Sequence, residues 1–222
     1  MRATRRLPAG ARVLEVGSGV EGLGTWYPEP FVGADLEFVG PLLPTLRAVI
    51  ADGTRLPFPD RSIDLVACVD VLPELPRDLL APICREMARV CRGSVVTVSV
   101  SGPDADRSNI RTLEWCRRHD MEPPDWLTDL VEHGAPSVDE IASPLAPFGA
   151  VTTAPNTSAA WNERLFAAEH ALRRAHAMTA LQLPLRLAGR WFPFDLPGRG
   201  PIYRWTVRLD VHATDSPPAR RS

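Results

Sequence analysis

The segment Arg12 to Gly24, RVLEVGSGVEGLG, constrains the fold of this chain more than any other stretch. It opens with an apolar run, Val13 to Val16, that is typical of a buried parallel strand, and glycines follow at positions 17, 19 and 22. Glycines directly after a strand allow a tight turn and a close approach of the backbone to a ligand. Glu15 interrupts the run, and a buried carboxylate needs a partner, which a cationic ligand end or loop amides could supply. The pattern predicts a nucleotide-type site at the carboxyl end of a sheet.

Further apolar runs in the first half of the chain predict four more strands, at residues 31–34, 48–50, 65–69 and 94–100. A helix over 77–92 is predicted between the last two, with Gly93 as its C′ residue, because the apolar positions fall on one helical face: Leu80, Ile83, Cys84, Met87 and Cys91. The segment 38–47 is too short and too rich in glycine and proline for a full crossover helix. Strands that alternate with helical spacers predict a parallel, doubly wound sheet.

The second half is less regular. Residues 137–148 read as a helix, in which Ser137 and Glu140 have the spacing of a capping box. A strand is predicted at 150–154, an alanine-rich helix at 158–182 and a long final strand at 202–213. The residues after it, 214–222, have the composition of a disordered tail.

Composition limits the function further. A chain of 222 residues with a net charge of −2 suits one α/β domain and has no overall field that would attract nucleic acid or an anionic membrane. The four cysteines form no CxxC pair, so neither a metal site nor a disulfide framework is indicated. No signal peptide precedes the first strand and no apolar run approaches the roughly 18 residues of a membrane span, so we expect a cytoplasmic protein without an integral membrane segment.

The segments EVGSG, Asp35, ADGTRLPFPDRSIDLV, VDVL and a helix ending in RVCRG follow one another in an order that resembles the class I S-adenosylmethionine-dependent methyltransferases, in the branch that acts largely on small molecules. The resemblance is close over residues 12–100 and architectural after that. It implies a Rossmann-like, doubly wound, mostly parallel sheet in a three-layer sandwich, with an antiparallel final strand. Helical insertions are expected after strand 5 and between strands 6 and 7. The expected organisation is one methyltransferase domain over 1–213, with a cofactor-binding core at 12–100 and substrate caps at 101–136 and 158–200.

The cofactor implied by this resemblance is S-adenosyl-L-methionine. Glu15 would hold the glycine loop or contact the methionine end of the cofactor, and the loop Gly17-Ser18-Gly19 would pass beneath it. Asp35 would bind the two ribose hydroxyls, since a carboxylate can accept from both. Glu37 is the rival for that role.

The same resemblance assigns two later strand ends. Asp52 would accept a hydrogen bond from the adenine amino group, with the Gly53 amide beside it. The carbonyls around Val69 and Asp70 would receive the methionine ammonium group.

Three features depart from the family pattern. Glu21 stands where the third glycine is usual, and the second crossover helix is nearly absent. Pro73-Glu74 follows VDVL where relatives often have Glu-His. The adenine wall of the pocket could therefore differ in this chain.

Two residues are candidates for a catalytic base. Methyl transfer from a sulfonium depends mainly on alignment and desolvation, and a base is needed only for a neutral hydroxyl or a protonated amine. His133 ranks first because its segment should lie over the pocket and the ordinary pKa of histidine suits the task. Glu74, just past the fourth strand, ranks second. Either residue could instead be a solvated surface group.

The acceptor is predicted from the two insertions. Residues 101–148 hold ten acids and four arginines, whereas 158–209 hold eight arginines and three acids. Either the insertions pack on each other, or the basic one faces an anionic acceptor such as a phosphorylated or nucleotide-linked sugar. The aromatic cluster at 185–194 could be core, a substrate wall or a peripheral contact with a lipid-linked acceptor.

We therefore predict O-methylation of a small-molecule or glycan-type acceptor. One alternative is an NAD(P)-dependent oxidoreductase, because Gly17, Gly19 and Gly22 also fit the dinucleotide fingerprint. Another is a catalytically silent binding protein with the same fold. A nucleic-acid substrate is disfavoured by the net charge of −2 and by the absence of an Asn/Asp-Pro-Pro-aromatic tetrad after the fourth strand.

Overall fold

A computed structural model describes residues 7–174 and 200–212 of the chain. The predicted aromatic cluster at 185–194, the tail at 214–222 and most of the second cap lie outside these residues. The described strands are β1 (Val13–Val16), β2 (Phe31–Asp35), β3 (Leu46–Ile50), β4 (Ile63–Val69), β5 (Cys91–Val100), β6 (Gly149–Ser158) and β7 (Ile202–Val211). The described helices are α1 (Arg77–Val90), α2 (Pro103–Arg118), α3 (Asp125–His133), α4 (Val138–Ala142) and α5 (Ala159–Arg174).

The strands form one seven-stranded sheet in the order β3-β2-β1-β4-β5-β7-β6. Neighbouring strands from β3 to β5 are parallel, and β7 is antiparallel to both β5 and β6. This confirms the predicted doubly wound, mostly parallel sheet with an antiparallel final strand. The carboxyl ends of β1 to β5 therefore meet the start of β7 at one edge of the sheet, which we call the carboxyl edge.

Two layers of packing hold the sheet. The alternation of side chains along β1 sends Leu14 and Val16 to one face, where α1 and α4 cover them. Val13 points to the other face and packs with Leu23 and Tyr27 from the segment between β1 and β2. Within that segment the described chain forms only a single 3₁₀ turn, Gly22–Thr25.

Three helices lie together at the end of the sheet. Helix α2 packs against both α3 and α5, Trp126 of α3 contacts Phe166 of α5, and α2 and α5 also contact β7. Their shared cores include Ala105, Leu130 and Tyr203 in one cluster and Leu127 and Phe166 in a second. These helices therefore stand beside the carboxyl ends of β4 and β5, where a substrate cap was expected.

The structure moves several predicted boundaries, including the ends of two helices. Helix α1 ends at Val90 and β5 begins at Cys91, so Cys91 is a strand residue and Gly93 is not a helix C′ residue. A Cβ at Gly93 would lie 2.2 Å from the Asp64 carbonyl oxygen, so the close approach of β4 to β5 explains this glycine. The helix predicted over 137–148 ends at Ala142, because Pro144 and Pro147 cannot donate the backbone hydrogen bonds of a longer helix. Its capping box between Ser137 and Glu140 is present.

Candidate functional site

The glycine loop after β1 is held from below by Glu15. This side chain is only 4% exposed, and its Oε2 accepts a hydrogen bond from the Leu23 amide at 2.6 Å. The pKa of Glu15 is raised to about 7, mainly because the side chain is buried. The hydrogen bond from the Leu23 amide opposes this rise, and the charge of Asp35 contributes to it. A Cβ at Gly22 would fall 2.2 Å from the same carboxylate, so only glycine fits there. Glu15 therefore holds the segment that follows the glycine loop through the Leu23 amide, and its contact with the methionine end of a cofactor stays a prediction.

The turn Gly17-Ser18-Gly19 carries the backbone across the carboxyl edge. Gly17 has a φ of 74°, and its amide donates to the Ala34 carbonyl of β2 at 2.8 Å. Apart from Gly19 itself and its two chain neighbours, no heavy atom of the described residues lies within 4 Å of the place where a Cβ of Gly19 would stand, so the space beside that residue is open to a ligand. Ser18 is buried and its hydroxyl donates to the Gly19 carbonyl, so it stabilises the turn itself.

Asp35, at the end of β2, closes this turn. Its Oδ2 accepts from the Gly19 amide and its Oδ1 from the Leu36 amide, both at 2.8 Å. A carboxylate oxygen can accept two hydrogen bonds, so each oxygen of Asp35 keeps capacity for one more donor. Glu37, the rival predicted from the sequence, is exposed two residues further on. The structure thus brings Asp35 to the glycine loop.

Asp52 stands at the next strand end. Its Oδ1 accepts hydrogen bonds from the Thr54 amide and from the Thr54 hydroxyl, both at 2.8 Å. Both hydrogen bonds lower the pKa of Asp52, and the one from the amide has the larger effect. A Cβ added at Gly53 would meet Val16 and Ile83 at ordinary distances, 3.4 Å or more, which places this turn against the end of β1.

Two apolar side chains beside these carboxylates were missed from the sequence. Leu36 is 70% exposed and Ile50 is 75% exposed, and Ile50 pairs in register with Asp35. Exposed apolar residues next to hydrogen-bonding groups suit a flat, partly polar ring. The available signal was their position, because Leu36 directly follows Asp35 at the end of the second predicted strand and Ile50 is the last residue of the third.

The end of β4 differs from the ends of β1 to β3. Asp70 directly follows Val69, has a φ of 57°, and forms an ion pair with Arg204 of β7. Its Oδ1 and the Arg204 Nε are buried without hydrogen-bond partners among the described residues. Burial raises the pKa of Asp70, and the Arg204 charge opposes this. A non-glycine residue in the left-handed region carries backbone strain, which is frequent at functional sites.

A cavity of about 370 Å³ opens beside this ion pair. We call it the β4–β7 cavity. Its described lining comprises Asp70, Pro73, Glu74, Val100, Trp126, Leu130, Asn162, Leu165, Phe166, Glu169, Tyr203 and Arg204. A larger cavity of about 790 Å³ lies at the opposite, amino edge of the sheet, and none of the predicted site residues line it.

The two candidate bases are separated. Glu74 is exposed, but it lines the β4–β7 cavity, where partial burial, then the charges of Asp70 and Asp129, raise the pKa of its carboxyl group. His133 is exposed at the end of α3, does not line this cavity, and has its Nδ1 3.0 Å from the Asp129 carbonyl oxygen. The base role of either residue stays a prediction, and the geometry favours Glu74.

Two kinds of feature are absent from the described part of the chain. No cluster of three or more histidine, cysteine, aspartate or glutamate side chains there could hold a metal ion. No helix among residues 7–174 and 200–212 is both long and apolar enough to cross a bilayer.

Comparison with known proteins identifies this architecture. Residues 28–97 match a family model described as a methyltransferase domain, a stretch that contains Asp35, Asp52, Asp70 and Glu74 but begins after the glycine loop. A search of curated protein sequences found no match.

Solved structures share the whole fold at low sequence identity. A putative sarcosine dimethylglycine methyltransferase from Galdieria sulphuraria has a TM-score of 0.56 at 14% identity, covering 94% of this chain and 80% of that one. A geranyl diphosphate C-methyltransferase from Streptomyces coelicolor has a TM-score of 0.51 at 13% identity, covering 91% and 71%. The cyclase SpnF has a TM-score of 0.52 at 14% identity, covering 92% and 76%. At these identities the neighbours establish the fold.

Proposed function

We propose that this chain, which has the fold of the class I methyltransferases, binds S-adenosyl-L-methionine and transfers its methyl group to a small-molecule acceptor. The observation that carries the proposal is the series of carboxylates at successive strand ends, Glu15, Asp35 and Asp52, around an open glycine turn. The match of residues 28–97 to a methyltransferase-domain model supports it. The fold alone does not, because one fold can carry several chemistries.

The residues at the carboxyl edge fit a nucleoside with a charged amino-acid tail. Asp35 retains acceptor capacity for ribose hydroxyls, and Asp52 leaves its Oδ2 for an exocyclic amine. The Gly53 amide beside Asp52 and the open space at Gly19 complete this half of the site. Toward Asp70, the side chain of Val71 fills the space beside Gly17, where an added Cβ would meet it at 2.1 Å, so this packing requires glycine at position 17. We assign the carbonyls around Val69 and Asp70 to the ammonium end.

When bound, S-adenosyl-L-methionine supplies a methyl group on a positively charged sulfur atom. The protein then has to align an acceptor with that methyl group and exclude water. The β4–β7 cavity lies at the same edge of the sheet, and α3 and α5 provide its walls. The acceptor loses a proton if it is a hydroxyl or an ammonium ion, and Glu74 is placed to take it. We therefore propose Glu74 before His133 as the proton acceptor, which reverses the ranking made from the sequence.

The two insertions are proposed as substrate caps of one domain. Arg111 of α2 and Glu163 of α5 form an ion pair, and the Ser108 hydroxyl also donates to Glu163 at 2.8 Å. These contacts join the cap that follows β5 to the cap that follows β6. Small acceptors of either oxygen or nitrogen type fit a space of about 370 Å³, so the volume of the cavity does not decide between the oxygen acceptor predicted from the sequence and a nitrogen acceptor.

The two alternatives make different use of this edge. A dinucleotide-binding protein places its pyrophosphate at the N-terminus of a helix that follows the glycine loop. Here a 3₁₀ turn of four residues, Gly22–Thr25, occupies that position, and an antiparallel β7 lies between β5 and β6. These observations favour the sulfonium cofactor over NAD(P). A silent binding protein remains the second candidate, because one fold can carry several functions, and a neighbour with this fold is described as a cyclase and not as a methyltransferase.

Calorimetric titration tests the proposal directly. The chain is titrated with S-adenosylmethionine, S-adenosylhomocysteine and NADH. We expect the two sulfur compounds to bind, and S-adenosylhomocysteine to raise the melting temperature by mass action. Tight NADH binding without a response to either sulfur compound would overturn the assignment. Binding of S-adenosylmethionine with no methyl transfer to any member of a broad acceptor panel would favour the silent binding protein.

A further inference from the structure

The described lining of the β4–β7 cavity carries more negative than positive charge, which is unsuited to an anionic acceptor. Arg204 is the one cation among its described lining residues, and its guanidinium pairs with Asp70. Glu74 adds a second carboxylate to the same lining. Because the ion pair neutralises itself, the described walls carry an excess of negative charge. Such a cavity repels carboxylates and phosphates and attracts cations.

Glu74 shows how this charge acts. It lines the cavity, and its carboxylate makes no hydrogen bond or ion pair with the described residues. Its pKa is raised by burial and by the carboxylates of Asp70 and Asp129. A cation placed beside it would relieve both of these costs.

Aromatic side chains provide the second element of cation recognition. Trp126 of α3 and Phe166 of α5 both line the cavity, with ring centroids 6.2 Å apart in an edge-to-face arrangement. Leu130 and Leu165 extend this apolar wall. The face of an aromatic ring attracts an ammonium group, and apolar neighbours strengthen the attraction by excluding water.

We propose that the methyl acceptor is an amine, which enters the β4–β7 cavity as an ammonium ion between Glu74 and the rings of Trp126 and Phe166. This inference rests on the proposed methyl transfer and names its acceptor class. It departs from the hydroxyl or glycan acceptor predicted from the sequence, because those acceptors would leave the excess carboxylate charge of the described walls uncompensated.

The transfer balances with the groups present. The acceptor ammonium first gives one proton to the Glu74 carboxylate, which frees the nitrogen lone pair. That lone pair forms a bond to the methyl carbon as the carbon–sulfur bond breaks, and the electron pair of the broken bond stays on sulfur. The sulfonium becomes a neutral thioether, the methylated nitrogen carries the positive charge, and the proton leaves Glu74 to solvent. No oxidant or metal is required.

Three probes of one carbon skeleton test the charge preference: phenethylamine, phenethyl alcohol and phenylacetate. Each is titrated calorimetrically into the full chain saturated with S-adenosylhomocysteine. We expect the amine to bind at least about tenfold more tightly than the alcohol, and phenylacetate to bind most weakly. Binding is the readout, so the test does not depend on turnover.

Two glutamate variants on neighbouring elements locate the effect. Glu74→Gln removes the charge at the cavity and should weaken phenethylamine binding about five- to tenfold while leaving the Kd of S-adenosylhomocysteine unchanged. Glu132→Gln removes an exposed charge of α3 that does not line the cavity, so both affinities should stay at their wild-type values. An equal loss of phenethylamine affinity in both variants would mean that the amine responds only to the net charge of the protein, and would contradict the proposed amine site at Glu74.

The remaining outcomes separate the two proposals. If S-adenosylhomocysteine binds but the alcohol or phenylacetate binds as tightly as the amine, the amine inference is wrong and the proposed function stands. The amine inference is also wrong, with the proposed function intact, if phenethylamine shows no binding at millimolar concentration. If S-adenosylhomocysteine itself does not bind, both are wrong.

Discussion

The two halves of the carboxyl edge hold their carboxylates in different ways. Around β1 to β3, Glu15, Asp35 and Asp52 each accept hydrogen bonds from backbone amides of the same region. Around β4 to β7, Asp70 depends on one arginine from a distant strand, and the Glu74 carboxylate has no partner among the described residues. Carboxylates that are oriented by amides fixed in turns make a rigid platform, whereas a carboxylate without such amide partners can reorient toward a ligand. We infer that the first half is preformed for a constant ligand and the second is left open for the acceptor.

Gly17→Ala should break the rigid half most severely. The φ of 74° disfavours alanine by about 1–2 kcal/mol, and contact of its methyl group with Val71 adds about 1–3 kcal/mol, so the free energy of unfolding should fall by about 2–5 kcal/mol. Gly53→Ala is the matched control, because an added Cβ there meets only ordinary contacts, and its effect should stay within about 1 kcal/mol. Urea unfolding measures both. Equal losses would show that the turn at Gly17 is not under special constraint.

Glu15→Gln tests whether a buried carboxylate is a cost in the folded state. The pKa of Glu15 is raised from 4.5 unfolded to about 7 folded, so its ionisation destabilises the fold. This cost is absent below about pH 4.5, grows as the pH rises, and is complete above about pH 7, where it reaches about 3 kcal/mol. The variant, which keeps an acceptor for the Leu23 amide, should gain stability over wild type at about pH 8 and lose that gain near pH 4.5. Parallel stability curves across this range would contradict the shift.

Asp35→Ala and Glu37→Ala sharpen the assignment of the ribose contact. Asp35 holds the Gly19 amide and retains acceptor capacity, so its loss should weaken S-adenosylhomocysteine binding about 10- to 100-fold. Glu37 is exposed, and its removal should change the Kd less than about twofold. Calorimetry on the two variants decides between them. A larger loss of S-adenosylhomocysteine affinity in Glu37→Ala than in Asp35→Ala would assign the ribose contact to Glu37.

Arg204→Met tests the open half and should have the smallest effect on stability. The side chains of Arg204 and Asp70 are 35% and 34% exposed, so solvent screening keeps the cost to about 1–2 kcal/mol, below that of a fully buried pair. Arg208→Met is the control, because its partner Asp210 is half exposed, and it should cost less than about 0.5 kcal/mol. Thermal unfolding of the two variants gives the comparison. Equal shifts in melting temperature would show that the Arg204–Asp70 ion pair stabilises the fold no more than the exposed Arg208–Asp210 pair.

Local patterns in the sequence predicted the sheet because each strand is a short, strongly apolar run between turn residues. They did not separate α1 from β5, since Cys91 continues both the helical spacing and the apolar run. Arg204 could not be predicted as the partner of Asp70, because the two are separated by 134 positions and only the register of β7 brings them together.

The two candidate bases could not be ranked from the sequence, because the ranking depends on which face of α3 is turned toward the cavity. The sequence places His133 on a segment near the site, but packing against α2 and α5 turns Trp126 and Leu130 to the cavity and leaves His133 exposed. Glu74 was found for a simpler reason, since a residue just after a parallel strand lies at the carboxyl edge whatever the helices do.

The insertion of β7 between β5 and β6 also has a consequence for synthesis. Ser94 of β5 pairs with Asp210, 116 positions later, whereas β1 to β5 pair within the first half of the chain. A nascent polypeptide can therefore assemble the first five strands early, but β5 exposes an unpaired edge until β7 has left the ribosome. Such distant pairing slows the final step. We expect refolding to populate an intermediate with β1 to β5 protected from hydrogen exchange and β6 unprotected, and we expect this species to be the one that aggregates.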